Sequence, residues 1–139
     1  MKYLLDTDIL SQYQRGTLSP LVDAWIQRTR DEDLYLCEIT LAELWYGAVR
    51  LPAGKRRAEL ESWIEHALPD QFYGRIVGLR ANWPQTYGIL VAHAEKKGFQ
   101  AGAMDAMIAT IAVMNDMTVV TLNRRHFARL GITLVDFSE

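Results

Sequence analysis

The 139-residue chain is 50% hydrophobic and 23% charged, with a net charge of −2, the balance of an ordinary globular protein large enough to bury a core as one domain over 1–139. That balance excludes a strongly basic nucleic-acid coat, and no apolar run approaches the roughly 20 residues that span a bilayer, so no membrane partner is expected. Cys37 is the sole cysteine, which excludes an internal disulfide; with no secretory signal pattern at the N-terminus, the expected location is the cytoplasm.

In chain order, KYLLD (2–6) is expected as a strand, followed by a helix from about Thr7 to Arg15 that Gly16 stops. Ser19 and Pro20 combine an N-cap with proline at the first helical position and open a helix through LVDAWIQRTR. LYLCEI (34–39) reads as a second strand, TLAELWYGAVR (40–50) as the start of a helix, and AGKRRAELESWIEHAL (53–68) as another. RIVGL (75–79) is the third expected strand. Asn82 and Pro84 then open a helix through QTYGILVAHAEKKG, ended by Gly98. AMDAMIATIAVMND (103–116) is helical, whereas TVVTL (118–122) and ITLVDF (132–137) are too short and β-branched to be anything but strands. This alternation argues an α/β domain with a parallel sheet and helices on both faces.

Asp6 falls at the carboxyl end of the first strand, where open α/β sheets bind their ligands. Glu43 follows the second strand. Thr40 and Glu43 also have the T-x-x-E spacing of a capping box, which gives Glu43 a structural alternative. Leu41, Leu44, Trp45 and Ala48 make the apolar face of that helix; Glu43 lies opposite, beside Gly47, which adds no bulk. Asp105 opens the helix after residue 102 and points away from the stripe of Met107, Ile108, Ile111 and Met114, although the helix dipole alone favours an acid there. Asn123, directly after TVVTL, is either a turn former or an oxygen donor to a metal, directly or through a water. Asp8 is either a further ligand or a helix cap.

Carboxylates that converge repel one another unless a proton or a cation intervenes. Hard oxygen donors without convergent His or Cys select Mg²⁺ or Mn²⁺, and His66, His93 and His126 have no paired ligand spacing. Such acid clusters serve phosphodiester hydrolysis. Two local basic stretches, Lys55-Arg56-Arg57 and Arg124-Arg125-His126, are either solvated faces or phosphate contacts; Arg124 is the one next to the expected site.

The blocks YLLDTDILS, ITLAELWYGAVRL, GKRRAELE…GRIV and AMDAMIATIAVMNDMTVVTLNRRHF, in this order and spacing, resemble the PIN-domain family, in particular the VapC-type toxins of the FitB-like branch. The resemblance covers essentially the whole chain. It implies a parallel sheet of strand order 3-2-1-4-5 and Mg²⁺- or Mn²⁺-dependent endoribonuclease activity. By the same resemblance, Asp6, Glu43 and Asp105 are the catalytic acids and Thr7 is a supporting hydroxyl beside the first of them. It also implies a cognate small DNA-binding antitoxin and a homodimer. Asn123 stands where the family usually has a fourth acid, which motivates a second reading: a catalytically weakened PIN protein acting mainly as a binding partner in an antitoxin–DNA complex. DTDIL fits poorly as the nucleophile motif of a haloacid-dehalogenase-like phosphatase, since no adjacent Asp pair follows it.

Overall fold

The computed structural model describes residues 1–138. β1 (Tyr3–Leu5) lies inside a parallel sheet of order β3-β2-β1-β4, between β2 (Leu34–Cys37) and β4 (Thr118–Val120), with β3 (Ile76–Val77) beyond β2. Alternation along the strands divides the core in two. Leu5, Leu34, Leu36 and Val120 face one layer, Leu4, Cys37 and Val119 the other. Burial on both faces is why these runs are continuously apolar rather than alternating in polarity.

The first layer holds α1 (Thr7–Arg15), α2 (Pro20–Arg28) and α3 (Glu38–Val49), with Ile9, Leu10, Trp25 and Leu44 pointing inward. Each such buried side chain contributes about 1.5–3 kcal/mol. Gly16 ends α1 with φ +70°, and Ser19 Oγ accepts from Val22 N–H to cap α2, as the sequence predicts. The expected helix over 53–68 is divided: α4 (Lys55–Ser62) enters a π-helical turn at Trp63–Ala67 and continues as α5 (Leu68–Gln71). Pro69 accounts for this, because its ring cannot accept regular i−4 geometry and a widened turn relieves the clash. The second layer holds α6 (Trp83–Lys96), α7 (Ala103–Met114) and α8 (Arg124–Arg129), packed through Ala94, Ile108, Ile111 and Phe127.

Several boundaries differ from the sequence reading: the third strand is Ile76–Val77 rather than 75–79, and β4 ends at Val120 rather than at 122. The second strand stops at Cys37, because Glu38 and Ile39 already belong to α3. Glu38 spans to β3, where its Oε1 accepts from Leu79 N–H at 3.1 Å. It rests on Gly78, where a Cβ would lie 2.5 Å from the carboxylate. The expected last strand is reduced to a bridge. Val119 N–H donates to Thr133 O (2.9 Å) and Val135 N–H to Val119 O (3.0 Å), with Leu134 opposite Val119. This segment occupies the fifth place implied by 3-2-1-4-5. Its pairing ends where Ser138 folds back onto the Asp136 carboxylate and Phe137 turns in to meet Trp25. Among the described residues no helix is long and apolar enough to cross a membrane.

Candidate active site

β1 and β4 pair in register and end together, so the residues after them meet. Asp6 N–H donates to Val120 O at 2.9 Å, which continues the ladder one step past β1. The Asp6 side chain then turns back to cap α1, its Oδ1 accepting from Thr7 N–H (2.8 Å) and its Oδ2 from Thr121 Oγ1 (2.7 Å). Asp6 is only 5% exposed. Burial, followed by the nearby charge of Asp8, pushes its carboxyl up to about 7, with a smaller push from Asp105.

Asp8 is neither the cap, a position Asp6 fills, nor wholly satisfied. Its Oδ2 accepts from Leu122 N–H (3.1 Å) and lies 3.3 Å from Thr121 Oγ1, while its buried Oδ1 has no hydrogen-bond partner among the described residues. Burial raises its pKa as well. Thr121 has one hydroxyl proton, and the shorter contact assigns it to Asp6; the same oxygen accepts from Asn123 N–H at 2.9 Å. Strand-end loop and helix start are thereby stitched together.

Glu43 is in the second turn of α3, not the first, because the helix begins at Glu38. The capping box does not form: Thr40 is buried, its hydroxyl 3.5 Å from Cys37 Sγ. Glu43 is instead held by Thr7, whose Oγ1 donates to Oε1 at 2.5 Å. The hydroxyl beside the first acid thus binds a carboxylate, and the carboxylate belongs to a different helix.

Asp105 lies half-buried in the first turn of α7, and burial raises its pKa against a lowering influence from His126. Its Oδ2 accepts from Asn123 Nδ2 at 3.4 Å. A carboxylate requires a donor, so the Asn123 nitrogen, not its oxygen, faces Asp105. The same nitrogen lies 3.0 Å from His126 Nδ1. Asn123 is at the N-cap position of α8 without making a cap hydrogen bond. Through Nδ2 the amide hydrogen-bonds an acid of the cluster without adding a negative charge to it.

The Arg124 guanidinium donates to the Val135 carbonyl and lies near enough to Asp136 to lower that acid's pKa, which fastens α8 to the segment beside β4.

Asp6, Glu43 and Asp105 are thus tied through Thr7, Thr121 and Asn123 into one end of the sheet. The donor set, anionic oxygens with a buried orphan at Asp8 Oδ1, suits a hard divalent cation. Among the described residues no three His, Cys, Asp or Glu side chains stand close enough to ligate one ion directly.

A family model described as PIN domain matches residues 3–132. The chain belongs to the PIN-domain family. Among similar PIN proteins are the plasmid stability protein StbB of Pseudomonas syringae pv. tomato (34% identical, covering 96% of each chain), the VapC ribonuclease Y4jK of Sinorhizobium fredii (32%, 96% of this chain and 95% of the relative) and toxin FitB of Neisseria gonorrhoeae (32%, 89% of each). A chain in the structure of FitAB bound to an IR36 DNA fragment superposes with a TM-score of 0.89 at 29% identity, over 99% of this chain and 96% of that one. The relationship is therefore to the VapC and FitB toxins of this nuclease family.

Sequence reasoning missed two residues of this PIN site. Thr121 reads as one more β-branched strand residue, and His126 as part of a basic run. The signal available for Thr121 was its place one step past the ladder, in register with Asp6.

Proposed function

We infer that this chain is the toxin of a toxin–antitoxin pair, an endoribonuclease that hydrolyses RNA phosphodiester bonds with Mg²⁺ or Mn²⁺. The observation that carries the reading is Asp6: an acid 5% exposed at the end of a central strand, flanked by further acids, whose carboxyl stands near 7. Such a group calls for a cation, and the VapC-named relative supplies the reaction class.

Asp6, Asp105 and Glu43 would hold the ion, Glu43 through Oε2 because its Oε1 is engaged by Thr7, with bound waters completing the shell that Mg²⁺ commonly keeps. A divalent ion there supplies Lewis acidity toward water and counter-charge for the phosphate. Asn123 orients Asp105, and Asp8 holds the loop after β4. A small DNA-binding antitoxin is the expected partner, supported by the FitAB complex on DNA, and the chain is expected to pair as a homodimer.

The test is incubation of the purified, antitoxin-free chain with RNA in Mn²⁺ or Mg²⁺, with EDTA, and beside an Asp105→Asn control. Discrete fragments lost in EDTA and in the variant support the reading. Uncut RNA from folded protein across several substrate pools sinks it.

Asn123 favours a second reading, a binding partner with weakened catalysis, because a neutral amide occupies a place beside Asp105 where an acid would complete the cluster. Calorimetric titration with Mn²⁺ separates the two: heat of binding in the free chain supports the nuclease, and its absence supports the binding partner.

A further inference from the structure

An open groove of about 280 Å³ runs between α1, α3 and α4, with Glu43 in its wall. Its floor is apolar, formed by Leu44, Ala48, Trp63 and Ile64, and its rim carries Arg15, Arg50 and Arg56. None of these three arginines pairs with a carboxylate among the described residues, whereas their neighbours Lys55 and Arg57 pair with Glu59 and Glu61. Their partners are neutral. Gln14 Oε1 accepts from Arg56 at 3.2 Å, and Arg50 lies 4.9 Å from the ring centroid of Tyr46, itself 62% exposed. A chain of net charge −2 therefore gathers uncompensated positive charge in one groove. Gly47 keeps the groove open one turn after Glu43, for a Cβ there would meet nothing within 4 Å.

We propose that this groove seats the backbone of single-stranded RNA on one side of the scissile phosphate, with Arg15, Arg50 and Arg56 holding phosphates. The proposal rests on the endoribonuclease reading and adds to it the path of the substrate. Guanidinium forks match phosphate oxygens in pairs. An apolar floor that includes Trp63, with the exposed Tyr46 ring beside Arg50, suits bases that are stacked without sequence preference. Glu43 makes the groove continuous with the acid cluster, so a strand lying in it delivers its next phosphate to the reacting centre. Of the GKRR run, only Arg56 lines the groove; Lys55 and Arg57 brace their own helix.

The experiment measures binding of a 5′-fluorescein-labelled single-stranded RNA of mixed sequence by anisotropy, in an Asp105→Asn background so that the probe survives. Two further variants are compared with that background: Arg50→Ala with Arg56→Ala, and Gly47→Leu. The arginine pair is expected to weaken binding at least about tenfold and to reduce the slope of log affinity against log salt by about 1.4, two phosphates at ~0.7 each. Gly47→Leu is expected to weaken binding several-fold while the melting temperature holds or rises, since leucine favours a helix over glycine. Affinity and salt slope equal to the background in both variants overturn the proposal. So does a labelled poly-glutamate peptide that binds the background and is lost in the arginine variant while RNA binding persists; that result assigns the groove to an acidic protein segment. If the wild-type chain cleaves RNA and the groove variants still bind normally, only the substrate path is wrong. If the wild-type chain never cleaves, the endoribonuclease reading itself has failed.

Discussion

The two flanks of the acid cluster are built on different principles. On the β1–β4 flank, Asp6 is buried and Asp8 half-buried; both are fixed by backbone N–H groups and by Thr121 and held at raised pKa values. On the α3 flank, Glu43 is half-exposed, held by one hydroxyl, and adjoins a groove rimmed with arginines. The first flank accumulates negative charge that the fold alone cannot neutralise. The second opens to solvent and gathers positive charge. The metal-dependent nuclease proposed above would need both: a rigid seat for a cation and an accessible surface for a polyanion. The rigid flank is at the sheet, where the backbone can be over-determined, and the open one lies between helices.

Breaking the rigid flank is expected to have the largest effect. Asp6→Asn or Asp105→Asn removes an ionic ligand worth several kcal/mol to the reaction, so cleavage rates measured on labelled RNA should fall at least about a hundredfold. Far-ultraviolet circular dichroism should remain unchanged; a variant cleaving at the normal rate would remove that acid from the site.

The same flank has a pH signature. Asp6 rises from 3.8 to about 7 on folding, so the unfolded chain ionises first. The stability this group contributes is complete below about pH 4 and is lost as pH rises toward and through 7. In EDTA, the melting temperature attributable to Asp6 should therefore decline between pH 5 and 8. Asp6→Asn should flatten that decline, and Mn²⁺ should restore more stability at pH 8 than at pH 6. Equal pH profiles for the two proteins would contradict the assignment.

A smaller effect is expected where the flanks join. Thr7→Val frees Glu43 and should slow cleavage by about 10–100-fold, the usual cost of losing the group that orients a ligand. Thr7→Ser keeps the hydroxyl and should recover most of the rate; failure of serine to rescue would mean that the methyl group, not the hydrogen bond, matters. The smallest change is expected at Arg124. Replacing it with alanine should lower the melting temperature by the equivalent of about 1 kcal/mol while RNA affinity stays at the wild-type value, because its guanidinium is spent on Val135.

Much of the fold is legible in the sequence because its signals are local: Gly16 after α1, Ser19-Pro20 before α2, and the apolar runs of β1, β2 and β4. Boundaries shifted where a distant partner overrode local preference. Glu38 belongs to α3 because Leu79 and Gly78 receive its carboxylate, which no window around residue 38 records. The acids could be placed from strand ends and helix starts. Their partners could not, since Thr7 reaches 36 residues to Glu43 and Thr121 reaches 115 to Asp6. Asn123 shows the limit of reading by residue type. Its amide offers either an oxygen or a nitrogen, and only the presence of the Asp105 carboxylate turns the nitrogen that way.

The contact from Thr121 to Asp6 also bears on synthesis. Asp6 leaves the ribosome more than a hundred residues before its hydroxyl donor, Thr121, and the Val120 carbonyl that receives its N–H. Until β4 has emerged and docked against β1, a growing chain carries the acids without the architecture that converges them. A nuclease of the proposed kind, assembled in this order, has no formed acid cluster while the residues before β4 are being translated.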